Sequence, residues 1–148
     1  MSGNTNPQFT KNGRIDSVLV TAANTSSQGG GTVATDIFKA FTADATNGSF
    51  VDEVILIPTA TTPTTTTATV ARIFASSVTS GATTSANTYL LAEVTLPAIA
   101  SDNASAAVNP ISVSIQKRLP AGYTILVTNH AAPAANTAWR ATVSGGDY

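Results

Sequence analysis

Ile111-Ser112-Val113-Ser114-Ile115 alternates a branched apolar residue with serine at every step. Successive side chains of a strand point to opposite faces, so this run buries one face and leaves the other wet. Working outward, Tyr89 to Leu96 places Leu90, Ala92, Val94 and Leu96 on one face before Pro97 ends it. Leu119-Pro120-Ala121-Gly122 puts proline second and glycine fourth in a tight turn, and Tyr123 to Thr128 is expected to return as the next hairpin arm. Ala138 to Val143, which holds the only tryptophan, Trp139, is the last strand candidate.

Toward the N-terminus, Ser49 to Ile57 follows an Asn47-Gly48 turn signal and ends in a run apolar on both faces that stops at Pro58. Such a run belongs in the middle of a sheet. Thr69 to Ala75, Val33 to Thr42 and Arg14 to Ala22 are further strand candidates, although Ile37, Phe38 and Phe41 would also suit a helix. Thr59 to Thr67 reads as a threonine-rich hairpin connection. The other connections, Asn24 to Gly31, Ser76 to Asn87, Ala98 to Asn109 and Asn129 to Asn136, are rich in small and polar residues.

The count is about eight strands beginning 12 to 22 residues apart, with no convincing helix between them. Parallel sheets need helical crossovers, so the expectation is an all-β, antiparallel β-sandwich, either jelly-roll-like or Ig-like. The Cys-Trp-Cys core of Ig domains is absent, since the chain has no cysteine. Residues 14–148 form one domain of ordinary size. Residues 1–13 are polar and punctuated by Pro7 and Gly13, and read as a flexible arm in which Asn4, Pro7 and Phe9 are candidate contacts.

Only 10% of the 148 residues are charged, against about 25% in an average soluble domain, and the net charge is −1. Nucleic-acid binding normally needs clustered Lys and Arg; Lys117-Arg118 is the one basic pair, so nucleic acid is not an expected partner. The N-terminus has neither a cationic nor an apolar signal region, and no apolar run approaches the ~20 residues of a membrane helix. No membrane partner is expected. Thr and Ala make up about a third of the chain, a composition of sheet with thin side chains. A nearly neutral surface also lacks the repulsion that keeps molecules apart, which favours life in an assembly.

Chemistry is hard to find in this chain. His130 is the single histidine, too few for a metal site and without a Gly-x-Ser-x-Gly elbow to serve. It reads as a loop hydrogen-bonder. Gly29-Gly30-Gly31 is followed by Thr32-Val33, not by the Lys-Ser/Thr of a phosphate loop. Asp52 and Glu53 are adjacent on a strand and so should face opposite sides, unable to share acid–base work. Asp52 is expected to sit near the strand entry or to pair with Arg14 or Arg72, and Arg72 and Glu93 to face each other across a sheet or face an interface. No catalytic residue, cofactor or metal is expected.

Asn47-Gly48-Ser49 with Val51-Asp52, then Leu119-Pro120-Ala121-Gly122-Tyr123, Thr128-Asn129-His130 and a terminal Gly145-Gly146-Asp147-Tyr148, resembles in its order a group of small proteins encoded among the virion-structural genes of tailed bacteriophages. The Thr59 to Thr67 run and the long loops at 76–87 and 98–109 depart from that pattern. The resemblance implies a non-enzymatic particle component made in the host cytoplasm and carried on the virion surface. Its first form is a capsid decoration or cement protein bound to the major capsid protein and to copies of itself, as a trimer at a lattice three-fold. A tail, fibre or host-surface domain that recognises glycans is the alternative, with Trp139 and Tyr148, joined by Tyr89 and Tyr123, as aromatic contacts.

Overall fold

The computed structural model describes residues 10–101 and 107–148, in which there are twelve strands and no helix. They are β1 (Asn12–Val20), β2 (Gly31–Thr32), β3 (Phe38–Thr42), β4 (Ser49–Ala60), β5 (Thr64–Thr65), β6 (Thr69–Ser76), β7 (Ala82–Thr83), β8 (Thr88–Leu96), β9 (Ala100–Ser101), β10 (Ile111–Leu119), β11 (Thr124–Asn129) and β12 (Thr137–Asp147). The eight longer strands make two four-stranded antiparallel sheets, ordered β1-β12-β4-β10 and β3-β11-β6-β8. We call these sheets A and B. The short strands pair as β2 with β7 and β5 with β9.

This strand order decides between the two expected sandwiches. An Ig domain keeps several consecutive strands as neighbours in one sheet, whereas here β6 and β8 are the only successive long strands that pair. Every other connection between long strands crosses from one sheet to the other, the wrapping of a jelly roll with its two Greek keys. Two expected hairpins are therefore corrected. Residues 61–68 join β4 of sheet A to β6 of sheet B, and residues 120–123 join β10 to β11 across the same divide. Local turn chemistry is the same at a hairpin and at a corner between sheets. Even the turn at Pro120 is shifted by one residue: Tyr123 N–H donates to the Pro120 carbonyl at 3.1 Å, so Gly122, at φ 72°, is its third residue.

The core lies between the sheets. Val20 of β1, Val54 and Leu56 of β4, Trp139, Ala141 and Val143 of β12 face Ile73 of β6 and Ile125 and Val127 of β11, all fully buried. Sheet B is also covered on its outer side, where Ile37, Phe74 and Leu126 form a second buried cluster with Val33 packed on it. That cover explains why β11 is buried along its whole length, although a strand with one wet face would alternate.

Four local expectations give way to longer-range pairing. β4 runs through Pro58 to Ala60, because β10 ends its pairing at Leu56 and beyond it β4 has a single neighbour, a setting that tolerates the missing proline N–H. Gly145-Gly146-Asp147, expected as a tail, belongs to β12 and lies between β1 and β4. Asn12 and Gly13, expected in the arm, pair with Asp147 and Gly146. The β6–β8 register shifts between Ile73 and Phe74 of β6, so that Leu91 of β8 is an extra residue and Leu90 leaves the buried face, 45% exposed.

Candidate interaction surface

The outer face of sheet A is built by the alternation of three strands and half of a fourth. Cross-strand register places Ile15, Ser144, Glu53 and Ser114 in one row, Ser17, Thr142, Ile55 and Ser112 in the next, and Leu19, Arg140 and Ile57 in the third. Ile15 is 75% exposed and Leu19 39%. Only Glu53 and Arg140 carry charge in these rows, and each is engaged: Ser112 Oγ donates to Glu53, and Arg140 donates to Ser17 Oγ at 3.2 Å. The result is a broad serine, threonine and isoleucine face whose two charges are each hydrogen-bonded to a hydroxyl, suited to contact over area and not to capture of a small ion. A hollow of about 440 Å³ lies at its end, against Leu19, Thr59 and Arg140.

Beside this face, β1 turns Arg14 and Asp16 inward. Arg14 donates to the Thr42 carbonyl at 2.8 Å, pairs with Asp16 at 2.5 Å and with Asp147 at 3.2 Å, and stacks over Phe41 at 4.6 Å. Asp147 in turn accepts from Ser49 Oγ at 2.5 Å, and Ser49 Oγ accepts from Asp44 N–H at 2.9 Å. This network ties the ends of β1, β3, β4 and β12 together. The Asp44 carboxylate accepts N–H bonds from Asn47 and Thr46, which hold its carboxyl below the usual 3.8.

On the far side, Arg72 of β6 donates to Glu93 of β8 at 2.6 Å, as their expected cross-strand position requires, and contacts His130 Nδ1 at 3.2 Å. Asp52 lies near the entry of β4, as one of its two expected placements had it, and pairs with neither Arg14 nor Arg72: both arginines already hold other carboxylates, Arg14 those of Asp16 and Asp147 and Arg72 that of Glu93. The strand alternation that was to separate Asp52 from Glu53 is also broken, since the β4 register slips there and Val51 and Val54 are both buried. Among the described residues no three His, Asp or Glu side chains come together in a cluster that could hold a metal.

Of the candidate contacts, Trp139 is fully buried in the core, where its bulk fills the centre of the sandwich; it offers nothing to a surface partner. Tyr148 is half-buried and its ring stacks under the Arg118 guanidinium at 4.5 Å. Tyr89 is half exposed, its hydroxyl donating to the Ala86 carbonyl at 3.2 Å. Asn4, Pro7 and Phe9 lie outside the described residues. Neither Ile15 nor Leu19 stands out in the sequence as a surface residue. The signal was present but inverted, because Arg14 and Asp16 occupy the alternate positions and a charged set is ordinarily read as the wet one. Comparison with protein-family models, with curated proteins and with solved structures yields no match.

Proposed function

We propose that this protein is a non-enzymatic structural component of a virus particle, a decoration or cement protein that lies on a phage head and binds the major capsid protein. The observation that carries this reading is the outer face of sheet A: eleven side chains in register, two of them charged, on a jelly roll. A nearly neutral face with exposed Ile15 and Leu19 is built for contact with another protein surface, where apolar area and hydroxyl hydrogen bonds both count. Jelly rolls recur among capsid proteins, which supports the setting by analogy. The low count of Lys and Arg supports a partner that is protein and not nucleic acid.

The glycan-recognition alternative loses its main support with Trp139 in the core, since stacking on a sugar needs an accessible ring. Binding to DNA-free heads tests the leading reading. Purified protein added to heads assembled from the major capsid protein of the same phage should sediment with them to a saturable stoichiometry and raise their disassembly temperature. Protein that stays in the supernatant would overturn it. Ile15→Lys together with Leu19→Lys should weaken binding while leaving the fold intact.

A further inference from the structure

Four strands border the sheets, and three are guarded against pairing with another chain. β3 is five residues long and carries Lys39; β8 is bulged at Leu91; β10 is bulged after Ser114, with Gln116 at φ 48° and the Lys117-Arg118 pair beside it. Short length, bulges and edge charges are the usual means of blocking such contacts. β1 is neither short nor bulged, and its one guard is a pair of charges. It pairs with β12 over nine residues without a register shift, and among the described residues its other edge pairs with no strand. Its inward Arg14 and Asp16 would reject most incoming strands.

We propose that β1 pairs antiparallel with β1 of a second copy of this chain, about a two-fold axis at Ile15, joining two A sheets into one of eight strands. Residues opposed across a sheet must share a face, so the axis falls on a residue, and the charges select which one. An axis at Asp16 sets Asp16 against itself. An axis at Ser17 sets Arg14 against Val20 and Asp16 against Val18. The axis at Ile15 sets Arg14 of each copy against Asp16 of the other, twice over, and places Ile15, the most exposed large apolar side chain among the described residues, against its own mate on the outer face. Opposite charges facing across a sheet are favourable and like charges unfavourable, so this edge fits itself in one register and repels others. An open cleft of about 250 Å³ between Arg14 and Asp16 on one side and residues 39–42 of β3 on the other gives the incoming inward side chains room. The contact is isologous and links molecules in pairs, so it stands independently of the virion reading and is compatible with a three-fold association through a different face.

The absence of cysteine makes the register directly readable. In the full chain, Ile15→Cys places two thiols on opposed residues about 5 Å apart at Cα, within disulfide range. Ser17→Cys and Leu19→Cys face Gly13 and Lys11 of the other copy and are separated from their own mates by roughly 13 Å or more at ~3.3 Å per residue. Mild oxidation should therefore convert the Ile15→Cys variant to covalent dimer and leave the other two as monomer. Sedimentation equilibrium of the native chain should show a reversible dimer, and Ile15→Lys should raise its dissociation constant at least tenfold with no change in far-UV circular dichroism. A native chain that is monomeric at every concentration, or cross-linking that is equal at the three positions or strongest at 17, would overturn the proposal.

Discussion

A β-carbon added to Gly145 of β12 would lie 2.2 Å from the carbonyl oxygen of Phe50 in β4. The two strands approach this closely where the register slips between Ser144 and Gly145, near the end of the central β12–β4 pair of sheet A. Because the obstacle is backbone, no side-chain rotation relieves it.

Gly145→Ala is therefore expected to cost about 1–3 kcal/mol, the range of overpacking in a well-packed interior. Gly13→Ala, in β1 with nothing within 4 Å of the added carbon, is the control and should stay within about 0.5 kcal/mol of the native chain. Urea denaturation of the two variants measures both.

Trp139 should report a dry interior. Its emission is expected to be blue-shifted and resistant to acrylamide in the folded chain, and to remain unchanged when oligosaccharides are added. Trp139→Ala should cost about 3–5 kcal/mol, since it empties the largest fully buried side chain of the core.

Much of the fold is legible along the chain. Each of the eight long strands overlaps a segment whose apolar spacing or β-branched content marks it as strand, Ile111 to Ile115 most plainly. Which strand lies beside which is not legible, because β1 meets β12 across the full length of the domain and local turns do not record that. The same long-range pairing keeps Pro58 and Gly145-Gly146 inside strands against their ordinary preferences. The candidate surface is less legible than the fold. Ile15 looks like a core residue until the Arg14, Asp16 and Asp147 network shows that the charged side of β1 is the inward one.

Arg72 and Glu93 differ in their surroundings, and their variants should differ accordingly. Glu93 is 46% exposed in its side chain, so Glu93→Gln should cost about 1 kcal/mol or less. Arg72→Ala removes a stem that is mostly covered as well as the charge, and should cost about 2 kcal/mol. His130→Ala, at an exposed loop position, should stay within about 0.5 kcal/mol. Thermal melts at low and high salt separate the charge contribution, which falls with added salt.

Asp44 ties its turn to solution pH. The N–H groups of Asn47 and Thr46 depress its carboxyl below 3.8 in the folded chain. A depressed folded value means that the carboxylate adds stability above the unfolded value and that this contribution is lost as pH falls through the folded one. Asp44→Asn should consequently be less stable than the native chain at neutral pH, with the gap narrowing below about pH 4, where carboxylates ordinarily begin to protonate. Denaturation midpoints of the two chains across that range provide the check.

The proposed role, a tile on a virus head held by the outer face of sheet A, is open to direct test in a cryo-electron microscopy map of heads carrying the protein. β-sandwich density is expected on the outside of the shell, with Ile15, Leu19 and the serine and threonine rows of sheet A in protein contact. Density confined to the tail or its fibres, or a head-bound molecule whose sheet A faces solvent, would contradict it.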